Sequence, residues 1–216
     1  MRIVPGERAY NEIVAGNKKK DESDRGVELR ERIDILRDRR NRRETNTLVF
    51  ASSMTRDIVK QSFKEDCNGS VHFHEFKGKP ARDIVDYMLT HVMQECPRTV
   101  VLVCGGNDLP NHVASSKKLH EIAEYMVKGC LDVKNRLGVE NVLISSIMPR
   151  ENSVFQGNRH QMNLILQKMC EENGLGFINN KNIILSKHIT WDGTHLNDQG
   201  TNILRQNLLE AINNVV

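Results

Sequence analysis

The chain has 216 residues, of which 38% are hydrophobic and 27% charged, and its formal net charge at pH 7 is +3. This length and balance allow one sizeable domain with a proper core and a short appendage. No apolar run reaches the roughly 18 residues of a membrane span, and the N-terminus lacks the apolar segment of a secretory signal, so neither feature is expected.

The first 45 residues are predicted to form a basic N-terminal arm that is partly helical or disordered. The polar stretch at 17–24 is typical of a loop or disorder, and a partial helical stripe over 27–36 leads into five arginines: Arg37, Arg39, Arg40, Arg42 and Arg43. Residues 1–43 hold 13 basic and 9 acidic residues, whereas the remainder holds 18 and 19. Two interpretations stay open: the arginines bind nucleic acid, or they form a solvated helix face.

From Thr47 onward, short apolar runs alternate with helical patterns, and residues 46–216 are predicted to form one domain. The predicted strands cover 48–52, 71–76, 99–105, 141–147 and 176–179, and the predicted helices cover about 56–64, 81–94, 116–136, 158–173 and 197–213. Such alternation predicts right-handed βαβ units and a parallel sheet. We expect an α/β three-layer sandwich with helices on both faces of the sheet and a strand order such as 2-1-3-4-5. Its ligand site lies beyond the carboxyl ends of the strands, where the order reverses.

The cysteine and histidine patterns indicate no metal site and no disulfide framework. The five cysteines are odd in number and never form a Cys-x-x-Cys pair. Reduced, structural thiols are therefore expected, which predicts an intracellular, cytoplasmic protein. His72 and His74 have no cysteine or acidic partner at metal-ligand spacing, so we interpret them as two side chains on one face of a strand.

Polar residues with complementary chemistry follow the predicted strands. Ser53 comes after the first strand, Gly78 after the second, Asn107 after the third, and Asp192 and His195 after the fifth. A serine needs an imidazole to become a nucleophile, and the imidazole needs a carboxylate to hold its tautomer. The backbone N–H groups of Ser53 and Gly78 and the side-chain amide of Asn107 would stabilise an oxyanion. Together these residues are the components of an acyl-transfer site.

Each block also has a purely structural interpretation. Ser53 or a neighbour can cap the next helix, residues 105–108 can form a turn followed by a cap, and residues 192–195 can form a turn with a surface histidine. The catalytic interpretation is favoured because all the blocks fall at the same edge of the predicted sheet.

The order and spacing of these blocks resemble the SGNH (GDSL) hydrolase superfamily, a flavodoxin-like group of esterases, lipases and acetylhydrolases. The resemblance covers about residues 47–214. Its Gly-x-Asn-Asp block matches residues 105–108, and its Asp-x-x-His block matches residues 192–195. The Gly-Asp pair that usually precedes the nucleophile is replaced here by Ala51-Ser52, and Asn163 matches an asparagine that precedes the family's last strand.

The resemblance implies a catalytic triad of Ser53, Asp192 and His195, an oxyanion hole of Ser53, Gly78 and Asn107, and no metal or organic cofactor. The implied activity is hydrolysis of a carboxylic ester, such as an acetyl ester, through an acyl-enzyme. Two subgroups are similar in character: esterase domains encoded by retrotransposons and the SGNH-like domain of Oskar, which binds RNA. The alternative is therefore a weakly active or inactive SGNH-fold module that binds RNA or another nucleic acid through basic residues.

Overall fold

The computed structural model describes residues 46–58 and 60–215. The predicted arm, with Arg37, Arg39, Arg40, Arg42 and Arg43, lies outside the described residues.

The centre of the molecule is a five-stranded sheet in which every neighbouring pair of strands is parallel. The strands are β1 (Asn46–Ser52), β2 (Ser70–Phe76), β3 (Thr99–Val103), β4 (Asn141–Ser145) and β5 (Gly176–Ile178). Their order across the sheet is β2-β1-β3-β4-β5, which confirms the predicted order. The chain therefore reverses its direction of travel across the sheet at β1, where ligand crevices form in such folds.

Six α-helices connect and cover the strands in the described part of the chain. They are α1 (Lys60–Glu65), α2 (Ala81–Glu95), α3 (Ser116–Leu137), α4 (Ser153–Glu172), α5 (Leu185–His188) and α6 (Asp198–Asn213). Among these residues, no helix combines the length and apolar character that crossing a membrane requires.

Helix boundaries differ from the predicted ones in three places. The helix predicted over 56–64 is replaced by a one-turn 3₁₀ helix, Ser53–Thr55, and the short α1. Helix α4 starts five residues before the predicted 158, because the side chain of Asn152 accepts a hydrogen bond from the N–H of Phe155 at 2.9 Å and caps an earlier first turn. The four-residue α5 carries too little apolar periodicity to be predicted.

Two apolar clusters lie on opposite faces of the sheet, as expected for a three-layer sandwich. Residues alternate along β1, so that Leu48 and Phe50 pack with α2, α3 and α4, whereas Val49 and Ala51 face α6. All five residues of β3 are buried, because helices cover both of its faces.

Candidate active site

The first element of the site is the turn that follows β1. Ser52 pairs with Phe76 of β2, and Ala51 pairs with Val103 of β3, so Ser53 leaves the sheet between its two neighbouring strands. The backbone of Ser52 is extended and the 3₁₀ helix starts at Ser53. The next residue, Met54, is buried and anchors the turn, which leaves Ser53 at the carboxyl edge of the sheet.

The loop between α5 and α6 brings a histidine and an aspartate to this serine. The Oγ of Ser53 lies 3.2 Å from Nε2 of His195, and Nδ1 of His195 lies 2.7 Å from Oδ2 of Asp192. The carboxylate accepts the Nδ1 proton, so Nε2 is the acceptor that faces the serine hydroxyl. The side chains of His195 and Asp192 are 23% and 34% exposed. The structure thus places the three predicted triad residues in one hydrogen-bonded chain.

Asp192 also organises its own loop. Its Oδ1 accepts hydrogen bonds from the backbone N–H groups of Thr194 at 2.8 Å and His195 at 2.9 Å, and from the hydroxyl of Thr190 at 2.7 Å. The backbone and ring hydrogen bonds from His195, followed by those from Thr190 and Thr194, hold the pKa of Asp192 well below its ordinary value. The carboxylate therefore stays ionised beside the imidazole. Thr190 is a residue that the sequence analysis missed.

The turn at Gly193 fastens this loop to the rest of the edge. Gly193 has φ of +69°, and its carbonyl accepts a hydrogen bond from the N–H of Glu151 at 2.7 Å. A Cβ at Gly193 would lie 2.6 Å from Oε2 and 2.9 Å from Cβ of Glu151. Only glycine therefore fits this close approach without displacing a neighbour. The adjacent Trp191 is 97% exposed.

The predicted oxyanion-hole residues follow the strands on either side of β1. Gly78 stands two residues beyond Phe76, has φ of +68°, and a Cβ there would meet nothing within 4 Å. Asn107 stands four residues beyond Val103, has an exposed side chain, and donates from Nδ2 to the carbonyl oxygen of Lys79 at 3.0 Å. Strand register thus brings Gly78 and Asn107 to the edge that carries Ser53.

Asp108, the residue after Asn107, has a structural role as a helix cap. Both carboxylate oxygens of Asp108 accept the backbone N–H of Ala81, at 3.1 and 2.9 Å, and so cap α2. Burial raises the pKa of Asp108. The loop carrying Asn107 is thereby tied to the first turn of the helix that follows Gly78.

Three further polar side chains hold the rim, and only Asn163 among them was noted from the sequence, through its match to the family. Arg150, in the loop that follows β4, donates from Nη2 to Oδ1 of Asn107 at 2.8 Å. Asn163, matched to the family by sequence alone, clamps the loop after β4 by bonding both the N–H and the carbonyl of Ile147, at 2.8 and 3.0 Å. The buried Asn158 accepts from the N–H of Ala114 at 3.0 Å. No sequence signal separates Arg150 or Asn158 from ordinary loop or helix residues.

No protein family model and no curated protein matches this chain. Solved structures with a similar fold include a lipase/acylhydrolase from Enterococcus faecalis, at 17% identity and a TM-score of 0.61 over 78% of this chain and 95% of that one. A GDSL-like lipase from Bacteroides thetaiotaomicron is 16% identical, with a TM-score of 0.61 over 80% of this chain and 89% of that one. A form of the acetylxylan esterase of Geobacillus stearothermophilus is 15% identical, with a TM-score of 0.62 over 78% and 94%. These similarities confirm the α/β fold that the resemblance to the SGNH hydrolases implied.

Proposed function

We propose that the protein is a serine hydrolase that cleaves carboxylic esters, of the esterase or acetylhydrolase type. The observation that carries the proposal is the continuous chain from Ser53 through His195 to Asp192, with its 3.2 and 2.7 Å contacts. This is the arrangement that activates a serine hydroxyl. The shared fold supports it, because the similar structures include lipases and an acetylxylan esterase.

The proposed reaction has two halves that use the same groups. Nε2 of His195 takes the proton of Ser53 while Oγ attacks the ester carbonyl carbon, and Asp192 stabilises the imidazolium that forms. The N–H groups of Ser53 and Gly78 and Nδ2 of Asn107 stabilise the tetrahedral oxyanion. His195 then protonates the departing alkoxide, which leaves an acyl-enzyme. Water, deprotonated by His195, then attacks the acyl carbonyl carbon. The bond to Oγ breaks as His195 returns the proton to Ser53, and the carboxylic acid is released.

The aspartate and serine roles have a parallel among the similar structures. Two forms of the Geobacillus acetylxylan esterase, one with a serine and one with an aspartate replaced by alanine, are described as catalytic mutants. A serine and an aspartate are likewise the two ends of the hydrogen-bonded chain here. An acetyl ester of a glycan is therefore a reasonable first substrate to assay, beside a simple ester such as p-nitrophenyl acetate.

A fluorophosphonate probe tests the proposal directly, because it reacts with an activated serine. We expect the wild type to be labelled and Ser53→Ala and His195→Ala to be unlabelled, with turnover of p-nitrophenyl acetate falling by about 10⁴-fold or more. Ser52→Ala is the matched control, since the Ser52 side chain makes no capping hydrogen bond. Labelling that persists in Ser53→Ala, or a folded wild type that neither labels nor turns over, would refute the assignment.

A second function, nucleic-acid binding, is favoured by the uneven charge of the chain. Residues 1–43 hold 13 basic and 9 acidic residues, and the rest of the chain has no basic excess. We propose that the arginines of the arm contact RNA phosphates. Replacing Arg39, Arg40, Arg42 and Arg43 by Gln should weaken binding of single-stranded RNA and reduce its salt dependence by ~0.7 in logarithmic slope for each phosphate that is no longer neutralised. An RNA affinity that does not change with salt would contradict this proposal.

A further inference from the structure

The side chain of Arg150 is lodged between α4 and the loop that follows β3. Its guanidinium carbon lies 4.9 Å from the centre of the Phe155 ring, and its Nη2 donates to Oδ1 of Asn107 at 2.8 Å. Gly106 makes room for it, because a Cβ there would lie 3.0 Å from Nη2. The guanidinium therefore packs directly against the loop that carries Asn107.

The charge of Arg150 is not neutralised by a neighbour. Within the described residues, no carboxylate lies within 4.0 Å of the guanidinium, and its Nε is buried without a hydrogen-bond partner. Burial lowers the pKa of Arg150, but a guanidinium stays protonated in proteins. A half-buried cation without a counter-charge is unfavourable for folding. The hydrogen bond that this guanidinium donates goes to Oδ1 of Asn107.

The amide of Asn107 is held at both ends by groups of opposite type. Asparagine has an acceptor end and a donor end of nearly the same shape, so contacts must decide its orientation. Arg150 can only donate and thus selects Oδ1, whereas the carbonyl oxygen of Lys79 can only accept and takes one Nδ2–H at 3.0 Å. In the flipped amide, the NH₂ group would face the donor of Arg150 and the amide oxygen would face the carbonyl oxygen of Lys79. The second Nδ2–H remains to donate elsewhere.

We propose that Arg150 is a positioning residue of the oxyanion hole, which fixes and polarises the Asn107 amide so that its second Nδ2–H is directed at the oxyanion. This inference rests on the proposed ester hydrolysis and adds a residue to it. A charged donor on Oδ1 draws electron density from the amide and makes its N–H a stronger donor. Arg150 acts through Asn107 and does not itself contact the substrate.

A double-mutant cycle with p-nitrophenyl acetate tests the catalytic part. This substrate carries no negative charge in its ground state, so an ion pair between Arg150 and the bound substrate is excluded. Asn107→Ala should lower kcat by about 10²–10³-fold, as for other oxyanion donors, and Arg150→Met by about ten-fold with KM nearly unchanged. In the Asn107→Ala background, Arg150→Met should change kcat by less than about two-fold. Arg150→Lys, which keeps the charge and an ammonium group that can donate to Oδ1, should recover part of the loss.

The matched control is Arg159→Met. Arg159 is also a partly buried arginine whose pKa burial lowers, but its Nε donates to Oε1 of Gln156 at 2.8 Å. We expect its kcat to stay within about two-fold of wild type, because the contact does not involve Asn107. An equal loss from Arg150→Met in both backgrounds, or a loss confined to KM, would overturn the proposal.

Nuclear magnetic resonance tests the orientation of the amide without any turnover. In protein labelled with ¹⁵N-asparagine, the side-chain signal of Asn107 is the one that disappears in Asn107→Ala. Arg150→Met should move this signal toward that of free asparagine and speed its exchange with water, whereas Arg159→Met should leave it unchanged. An Asn107 signal that ignores Arg150→Met would overturn the proposal on Arg150 alone. A wild type without Ser53-dependent turnover would instead overturn the ester hydrolysis and, with it, the catalytic meaning of the contact.

Discussion

At the scale of single residues, Asp192 serves two purposes with its two oxygens. Oδ2 receives the imidazole N–H, and Oδ1 receives the hydroxyl of Thr190 and the two backbone N–H groups that follow in the loop. The same side chain therefore orients His195 and holds the loop in place. A substitution that keeps the shape of the Asp192 side chain but removes its charge tests the role of the charge by itself.

Asp192→Asn is expected to lower kcat by up to about 10⁴-fold, because an amide cannot hold both the tautomer and the charge of the imidazole. The pKa of Asp192 is held well below its ordinary value, so the wild-type carboxylate remains charged down to acidic pH and does not limit activity there. Ester turnover measures the loss of the charge, and circular dichroism shows whether the fold is kept. Asp198→Asn, an exposed aspartate in the first turn of α6, is the control. Full activity in Asp192→Asn would remove it from the triad.

Gly193 offers a second single-residue test, with Gly138 as its control. Both glycines have φ near +70°, so alanine at either position is expected to cost roughly 1–2 kcal/mol of stability. At Gly193 the new Cβ also meets Glu151, whereas at Gly138 it meets nothing within 4 Å. We expect Gly193→Ala to lose on the order of 10²-fold in activity through displacement of His195, and Gly138→Ala to keep its activity. Equal activities of the two folded variants would show that the turn tolerates the displacement.

The sequence predicted the triad candidates but not the residues that hold them in place. Serine, histidine and aspartate have linked chemistry, so their position after the first and fifth predicted strands, at one edge of the sheet, was informative by itself. Arg150 and Asn107 are 43 residues apart, and their contact depends on how two loops approach each other. Thr190 could not be separated from the many threonines that only bond solvent.

At the scale of elements, the strands were easier to predict than the helix starts. Buried parallel strands appear as short, continuous apolar runs, and all five were located to within a few residues. The start of α4 depends on the cap at Asn152, which precedes the apolar stripe. In the 3₁₀ turn at Ser53, Met54 and Thr55 are buried, and no local pattern marks that tertiary packing.

Two helical glycines provide a test of how the layers pack. A Cβ at Gly129 of α3 would lie 2.3 Å from Cγ1 of Val85 in α2, whereas a Cβ at Gly157 of α4 would meet nothing within 4 Å. Gly129→Ala should destabilise the protein by about 1–3 kcal/mol through overpacking, and Gly157→Ala should stabilise it by about 0.5–1 kcal/mol through helix propensity. Denaturant unfolding of both variants measures the difference. A stabilised Gly129→Ala would show that α2 and α3 can move apart freely.

At the scale of the whole molecule, the two apolar clusters share one sheet, so they are expected to unfold together. The rules of βαβ connection predicted a parallel sheet, and the family resemblance supplied its strand order, because pairing between distant parallel strands leaves no local trace in a sequence. The rules of βαβ connection say nothing about the arm, residues 1–45.

The cysteines can report on this cooperativity. Cys104, Cys130 and Cys170 are buried, and burial raises the pKa of Cys170 to about 12 and those of the other two well above their ordinary value. Cys67 and Cys96 are partly exposed. Mass spectrometry after maleimide treatment should find at most two modified thiols in the native protein, and the buried three should become reactive together at the unfolding transition.

A Cys67→Ser, Cys96→Ser double variant should show no rapid modification, which would establish that the fast thiols are those two. Stepwise exposure of the buried thiols at denaturant concentrations below the transition would mean that the layers open independently.

The exposure of Trp191 has a spectroscopic consequence. It is the single tryptophan of the chain and is 97% exposed in the native fold, so its indole emission is already that of a water-exposed fluorophore and is open to collisional quenching by acrylamide. Unfolding leaves its surroundings almost the same, so intrinsic tryptophan fluorescence will be nearly silent in a denaturation experiment. The same emission, standing next to Asp192, will instead report ligands that settle on the loop, which gives the protein a label-free optical probe at its candidate active site.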